Sequence, residues 1–541
     1  MPGSSTSRLP KLNGADIELG NFVLGSSSAN SPGLASRALL AEIDGLPRER
    51  ESYNPSYLST SSHACGWSNG GQRREFGSNV IAVNPQDWGR KFLPTNGGCV
   101  YIDLDHLELC VPEVISAWDH VAAWQAMLSI ARDAMNAANA KLPEGRSIQV
   151  LVNNSDGHGH SYGSHLNFLV NRQAWDNIFQ RKPHHLAWLA SFQVSSIVYT
   201  GQGKVGSENG APAVPFQLSQ RADYFETLVG PQTTHRRPIV NSREEHLCGG
   251  WRGSDEPNGP ARLHVIFFDN TLAHRSCLLK VGVMQLILAM LEAGVVNPSL
   301  ILDDPLAAVL TYSHDPTLRA SARLAKGDEI AAVELQFLYL EEARRFAAEG
   351  GFEDIVPRAD EILDLWQDTL GRLRESDWPT LAAQLDWVMK WMLLQRTVER
   401  RSDLSWESPE IRHLDQIYSS LGEDGLYWAF ERSGCAERLV SEGRIEYFRS
   451  DPPPDTRAWT RAMLLRTADP EWVDRVDWDS ISFRVRDGNY WPSNRRIELP
   501  DPLRFTAAEL AEFLTPRGRF LDVLDAVEAA GEFEPRPVPV N

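Results

Sequence analysis

The sequence predicts an α+β fold, in which a large domain with a curved, mostly antiparallel sheet and helices is followed by a small C-terminal α/β domain. Three observations predict it. Stretches of strand-like alternation crowd the first half of the chain, and from Leu278 to about Ser450 the pattern is mainly helical. The run DPPPD (Asp451–Asp455) then breaks that pattern, and a short stretch containing VDWDSISFRVRD follows.

Residues 1–13 are polar without periodicity and read as a disordered arm. ADIELGNFVLG is a strand candidate. Residues 26–79 form a long polar loop rich in Ser, Gly and Asn, broken by the helix-like LASRALLAEIDGL. A loop of this length inside a domain is usually functional or disordered. Order resumes at GGCVYIDLDHLELCVPE, whose alternation marks a strand. A helix is expected from about Pro112 to Ala140, with Trp118, Ala122, Gln125 and Leu128 near one face. SIQVLVNN and SHLNFLVN read as paired strands joined by the turn-like SDGHGHSYG. VPFQLSQRADYFETL and RLHVIFFDN are further strand candidates. The large domain is placed over 14–450, the small one over 451–534, and a Pro-rich tail over 535–541.

At 541 residues the chain exceeds what one core usually serves. Its net charge of −19 makes nucleic acid and anionic membrane poor partners. None of the six cysteines forms a C-x-x-C pair, which fits reduced thiols and a cytoplasmic location. The first residues lack the apolar core of a secretory signal. VGVMQLILAMLEAGVV, interrupted by Gln285 and Glu292, reads as too short and too polar to span a bilayer, hence as a buried helix.

Chemistry is concentrated in a few strands. Asp16 and Glu18 are two apart and so share a strand face, where paired carboxylates repel unless a cation such as Mg²⁺ lies between them. Tyr101, Asp103 and Asp105 alternate against Val100, Ile102 and Leu104, with His106, Glu108 and Glu113 beyond. His158 and His160 lack the partners that zinc spacing demands. His165 shares a face with Asn167, while His264 is flanked by apolar residues and needs a partner if buried. Arg221 and Arg243 carry guanidinium forks suited to phosphate or carboxylate. The chain has neither a Walker loop nor a G-x-S-x-G elbow.

The order of these motifs is more specific than any one of them. G-x-D-I-E, TNGG-x-VYID-x-x-H-x-E, NN-x-D-x-x-x-x-SYG-x-H-x-N, QLSQRADY, RPI-x-N-x-RE-E, RLHVI and LLKVG follow one another as in the Pup ligase and depupylase family, which the chain resembles over roughly residues 14 to 500. That family is related to glutamine synthetase and the carboxylate-amine ligases. The resemblance implies a glutamine-synthetase-like large domain using ATP and Mg²⁺. By it, Asp16, Glu18, Glu108, His165 and His264 would bind the metal, with Asn167 beside them. Asp103 would be the catalytic aspartate, flanked by Tyr101. Arg221 and Arg243 would hold the γ-phosphate and the developing charge, and Trp478 would flank the nucleotide base.

The implied partner is a Pup-like peptide or another glutamate-containing substrate, with a link to a proteasome or other protease system. YIDLDHLELCVPE fits the depupylase form of its motif without a gap. The expected activity is therefore hydrolysis of a γ-glutamyl isopeptide or amide. The alternatives are a ligase working through a γ-glutamyl phosphate, and a degenerate member that only binds nucleotide or peptide. Three departures stand out: Asp16 and Leu166 occupy positions where the family has glutamate, as does His274.

Overall fold

Side-chain alternation decides which way each strand faces. In strand β1 (Asn13–Glu18), Ala15 and Ile17 are buried while Asp16 and Glu18 stay half-exposed. The computed structural model describes residues 8–26, 31–47, 88–244, 259–485, 493–513 and 520–531. Strand β2 (Gly20–Leu24), helix α1 (Ser31–Ala41) and strands β3 (Leu46–Pro47), β4 (Trp88–Phe92), β5 (Cys99–Asp103) and β6 (His106–Val114) come next. Helix α2 (Ala117–Asn139), strands β7 (Ser147–Leu151) and β8 (Ser164–Asn171), and helix α3 (Pro183–Thr200) follow. Then come β9 (Phe225–Gly230), β10 (Arg237–Asn241), β11 (Pro260–Val265) and helix α4 (His274–Ala293).

The main sheet has seven strands in the order β11–β8–β1–β6–β5–β4–β3, every neighbouring pair antiparallel. Its back face carries Ala15, Ile17, Val100, Ile102, Leu107, Leu109, Leu166, Phe168 and Leu263, all in the principal core. Helix α2 covers part of that face, packing on β6 and α4. Trp124 of α2 is fully buried and its indole N–H donates to Thr271 O at 3.0 Å. Burying each large apolar side chain contributes about 1.5–3 kcal/mol, so a register slip that turned this face outward would be heavily disfavoured.

Several sequence expectations need correction. GGCVYIDLDHLELCVPE is two strands, because Leu104 (φ 45°) and Asp105 (φ 75°) form a two-residue hairpin turn. Leu104 is therefore exposed rather than on the apolar face, and Asp105 is not on the strand. Asparagine tolerates this backbone better than leucine, so Leu104→Asn should raise stability by up to about 1 kcal/mol in denaturant unfolding. The helix expected from Pro112 begins at Ala117, since β6 runs through Val114. β7 pairs with β2, not with β8. The disordered arm does not extend to residue 13: Lys11 is buried against Glu292 at 2.7 Å, and Asn13 opens β1. Of the polar loop, Ser31–Ala41 is helical, while 48–87 and the tail 532–541 lie outside the described residues.

Helix α4 is the buried helix that the sequence reading expected, although it is longer and more apolar than that reading held and passes for a membrane span by length and composition. Of its most apolar 18-residue window 94% is buried inside the molecule, where it forms a central core element. Helices continue the chain to Ser450, interrupted by a short antiparallel pair, Ser321–Arg323 with Glu329–Ala331. Helix α5 (Arg457–Thr467), strands β12 (Val473–Val476), β13 (Ser480–Val485) and β14 (Ser493–Glu498), and helix α6 (Phe520–Gly531) close it. They build a second hydrophobic cluster, which includes Phe92, Cys99, Tyr101 and Cys110 from the main sheet.

Two buried ion pairs seat this C-terminal part on β6. Glu113 Oε1 accepts from Arg457 Nε at 2.9 Å, and its Oε2 accepts from Arg461 Nη2 at 2.6 Å. Arg461 also donates to Gly97 O at 2.8 Å. Gly97 has φ +76°, and a Cβ there would meet Ala458 O at 2.8 Å. The TNGG motif therefore serves this junction.

Candidate active site

The front face of the sheet collects the polar residues that alternation pushed away from the core. Strand register places Asp16 opposite both Cys110 and His165, Glu18 opposite Glu108, Tyr101 opposite Glu108, and His264 opposite Asn167. Residues scattered over about 250 positions of sequence thus meet on five adjacent strands.

Near the centre, ligand atoms of Asp16, Glu108 and Cys110 lie within 4.8 Å of one another. Burial, and then the charges of Asp16, Asp103 and Glu18, hold the Glu108 carboxyl well above the usual carboxylate range. Burial also raises Asp16, against the opposing pull of hydrogen bonds with Cys110 and Asn167. Like charges confined this way are stabilised by a divalent cation, so the oxygen ligands fit Mg²⁺. Asn167 orients the set, donating to Asp16 Oδ2 at 3.1 Å while accepting from Arg262 Nη1 at 2.6 Å.

The other three residues assigned to metal adjoin this trio in register, Glu18 opposite Glu108, His165 opposite Asp16, and His264 on the strand beyond His165. Glu18 Oε2 accepts the backbone N–H of Gly163. His165 and His264 meet edge to face with ring centroids 5.0 Å apart. Burial first, then Arg221, Arg243 and Arg237, push the His165 imidazole down to about 3. His264 is likewise held well below its ordinary value by burial and by Arg262. Both rings are therefore neutral near pH 7, the state in which imidazole ligates metals.

Arg221 is fully buried at the start of a short 3₁₀ turn and donates to Tyr162 O. Burial, and the neighbouring Arg237, press it toward giving up its charge, so an anion at this point would stabilise both guanidiniums. Arg243 follows β10, its N–H donating to Asn241 Oδ1 at 2.9 Å; the same amide oxygen lies 3.3 Å from His264 Nδ1.

Beside Asp16 opens a cavity of about 160 Å³, lined among others by Arg90, Tyr101, Asn167, Arg262, Arg457 and Trp478. Trp478 is held by Phe92 (centroids 5.3 Å, edge to face) and by Arg461 stacked 4.8 Å over its ring. Arg90 stacks 3.8 Å over Tyr101. A planar aromatic wall with cationic rims suits a nucleotide. A larger cavity of about 850 Å³, lined by residues including Asn153, Lys204, Glu208, Gln220, Arg412 and Trp406, is formed by the loops after β7 and α3.

Asp103 ends β5 on the front face, immediately before the hairpin turn, with Tyr101 buried two residues back. Of the departures noted in sequence, Leu166 points into the back core opposite Ala15 and so bears on packing. His274 is buried at the start of α4 and its Nδ1 accepts from Leu439 N at 3.2 Å, a structural contact. Only Asp16 lies on the working face. The sequence reading missed Arg90, Arg237, Arg262, Arg457 and Cys110. Alternation with His264 and with Glu108 could have flagged Arg262 and Cys110, but Arg457 reaches the cavity only through tertiary packing.

Comparison with known proteins bears on the family and the fold. A family model described as Pup-ligase protein matches residues 35–482. The chain is 36% identical over 421 residues to a depupylase of Acidothermus cellulolyticus, covering 78% of this chain and 80% of that protein. It is 35% identical over 432 residues to a Pup–protein ligase of Paenarthrobacter aurescens, covering 77% of this chain and 88% of that one. Among solved structures, the fold matches the Pup ligase PafA in complex with Pup, with TM-score 0.72, 23% identity and 98% of each chain covered. It also matches PafA in complex with ADP, with TM-score 0.67, 25% identity, 84% of this chain and 98% of that one. With more than three quarters of its length aligned at this identity to depupylase and ligase alike, the chain belongs to the Pup-ligase family.

Proposed function

We propose that this protein is an ATP- and Mg²⁺-dependent hydrolase of a γ-glutamyl isopeptide or amide in a Pup-like peptide, a depupylase or deamidase. One observation carries the choice of branch. The hairpin after Asp103 closes in two residues, Leu104 and Asp105, so the motif has the ungapped form that resembles the depupylase branch.

In this reading Asp16 and Glu108, with Glu18, His165 and His264, hold Mg²⁺, and Trp478 with Arg457 flanks the nucleotide base. When bound, ATP with Mg²⁺ would supply a γ-phosphate for the arginines to hold and the positive field of the cation, while the hydrolysis itself transfers no phosphoryl group. Arg221 and Arg243 bind and orient the anion, with Arg237 close enough to act on Arg221 and to feel Glu18. Asp103 takes a proton from water, or attacks the substrate carbonyl with release of the amine, beside the buried Tyr101. The segment from residue 451 is proposed as a small domain that completes the nucleotide side through Arg457 and Trp478.

The test is incubation with ATP, Mg²⁺ and a Pup-like peptide bearing a C-terminal glutamine or an isopeptide-linked lysine, with products read by mass. Gain of water with release of ammonia or amine is expected. Ligation is the second reading, supported by the 35% identity to a Pup–protein ligase; a product joined to an added amine would establish it instead. Glu108→Gln should weaken ATP binding in Mg²⁺ by roughly 1–3 kcal/mol without unfolding the chain. Calorimetry showing equal affinity with and without Mg²⁺ would remove the metal from the reading.

A further inference from the structure

The loop between β7 and β8 touches several of the groups to which the proposed function gives a task. The backbone N–H of Gly163 donates to Glu18, Tyr162 O accepts from Arg221, and Ser161 O accepts from Arg237. The Tyr162 ring stacks on His106 with centroids 4.5 Å apart, and His106 pairs across the hairpin with Asp103. Gly157 (φ +73°) and Gly159 (φ +96°) shape the tip of this loop. A tip so rich in glycine depends on tethers for its position.

Glu208 supplies two of them. Its Oε2 accepts the Ser155 hydroxyl and its Oε1 accepts the Gly159 N–H at 3.0 Å, so one carboxylate clamps both limbs of the loop. A longer contact, Gln416 Nε2 to Asp156 O at 3.4 Å, assists. Behind Glu208, Lys204 Nζ lies 2.8 Å from Glu208 Oε2 and 2.9 Å from Asp223 Oδ2, which also accepts the Glu208 N–H at 2.8 Å. Lys204 Nζ is 5.3 Å and the Arg237 guanidinium 5.6 Å from the centroid of the Tyr224 ring, a second link between this cluster and the arginines. Charge balance does not call for Glu208, since Asp223 alone would neutralise Lys204. What the side chain adds is its hold on the loop.

We propose that Glu208 is a positioning residue: through the Ser155–Gly163 loop it sets where Arg221 and Arg237 stand, and so how tightly the terminal phosphate of the nucleotide is held. The inference rests on the proposed reading of Arg221 as an anion-holding group. Glu208 acts at one remove, because a guanidinium fork meets an oxyanion only within a narrow range of positions, and the carbonyls that these forks lean on belong to the loop.

The test compares ATP with ADP on the full-length protein in Mg²⁺. The two nucleotides differ by the terminal phosphate, so a loss confined to ATP reports on the arginines. Glu208→Ala is expected to weaken ATP binding about tenfold in calorimetry with ADP affinity unchanged, and to slow peptide turnover roughly 10²-fold. Glu208 borders the cavity of about 850 Å³, so water can fill the space that the substitution opens and the fold should hold. If Glu208→Ala does not fold, Ser155→Ala, which removes one of the clamped groups, is expected to shift the ratio the same way by a smaller factor. Glu208→Gln keeps an oxygen for the Gly159 N–H and should recover part of the preference for ATP. In an Arg221→Gln background, Glu208→Ala should cost ATP less than it does alone, since both changes act on one group. Equal losses of ATP and ADP, a lower unfolding midpoint with the ratio unchanged, or additive losses in the double variant would make Glu208 a scaffold residue only and overturn the inference. If Arg221→Gln shifts the ratio and Glu208→Ala does not, this inference alone fails; if Arg221→Gln does not shift it either, the anion-holding role in the proposed function fails as well.

Discussion

Asp103→Asn is expected to lower turnover of a Pup-like conjugate by about 10²–10⁴-fold or more while ATP binding survives. The substitution keeps the side chain's shape at the end of β5 but removes the charge that, in the proposed mechanism, would take a proton or attack the carbonyl. Asp103 is half-buried on the front face, and its charge is one of those that raise the Glu108 carboxyl. Neutralising it relieves that repulsion, so nucleotide affinity should hold or increase. Single-turnover product formation by mass, alongside calorimetry of ATP, separates the two effects. Normal kinetics in Asp103→Asn would take this residue out of the chemistry. A variant that loses ATP binding and turnover together would assign it to the nucleotide site instead.

Glu113→Ala is expected to destabilise the C-terminal part by about 3–5 kcal/mol, the largest effect on stability foreseen outside the hydrophobic core. The substitution leaves Arg457 and Arg461 buried and facing each other without their shared carboxylate. Burial opposes ionisation of Glu113, but Arg461 and Arg457 outweigh it and hold the carboxyl down at about 2. A depressed carboxyl stabilises the fold above its unfolded value, so the contribution is full above about pH 4.5 and fades as pH falls toward 2. The shift corresponds to about 3 kcal/mol. Hydrogen exchange in Arg457–Thr467 should therefore accelerate selectively on acidification, and Glu113→Ala should show that fast exchange already at neutral pH. Uniform protection in the variant at both pH values would mean that packing of Phe92, Tyr101 and Trp478 seats this part without the ion pairs.

Much of the sheet was legible in the sequence because a strand shows its two faces by alternation. Asp16 and Glu18 against Ala15 and Ile17, and His165 and Asn167 against Leu166 and Phe168, announce a polar front and an apolar back without any coordinates. The motif order added the family and the residues worth assigning. The errors arose where alternation carries no information. Leu104–Asp105 continues the pattern of YIDLDHLEL in letters yet turns the chain, because positive φ is a property of backbone context and neither residue advertises it as Asn-Gly would. Nothing local to β7 reveals that its partner is β2 rather than the strand that follows it.

The sequence by itself determined the class of fold, the family, and which residues face away from the core, since these follow from local periodicity and ordered motifs. The tertiary structure alone decided how those residues are grouped. Register joins the five assigned metal residues across four adjacent strands, with Glu18 opposite Glu108, Asp16 opposite His165, and His264 on the strand next to His165. Packing of the segment after Asp451 brings Arg457 and Trp478 to a cavity more than 300 residues away in sequence from Asp16. Side-chain chemistry is written in each residue, but distance between residues is set by hydrogen-bonded register and buried contact, and no single segment contains either.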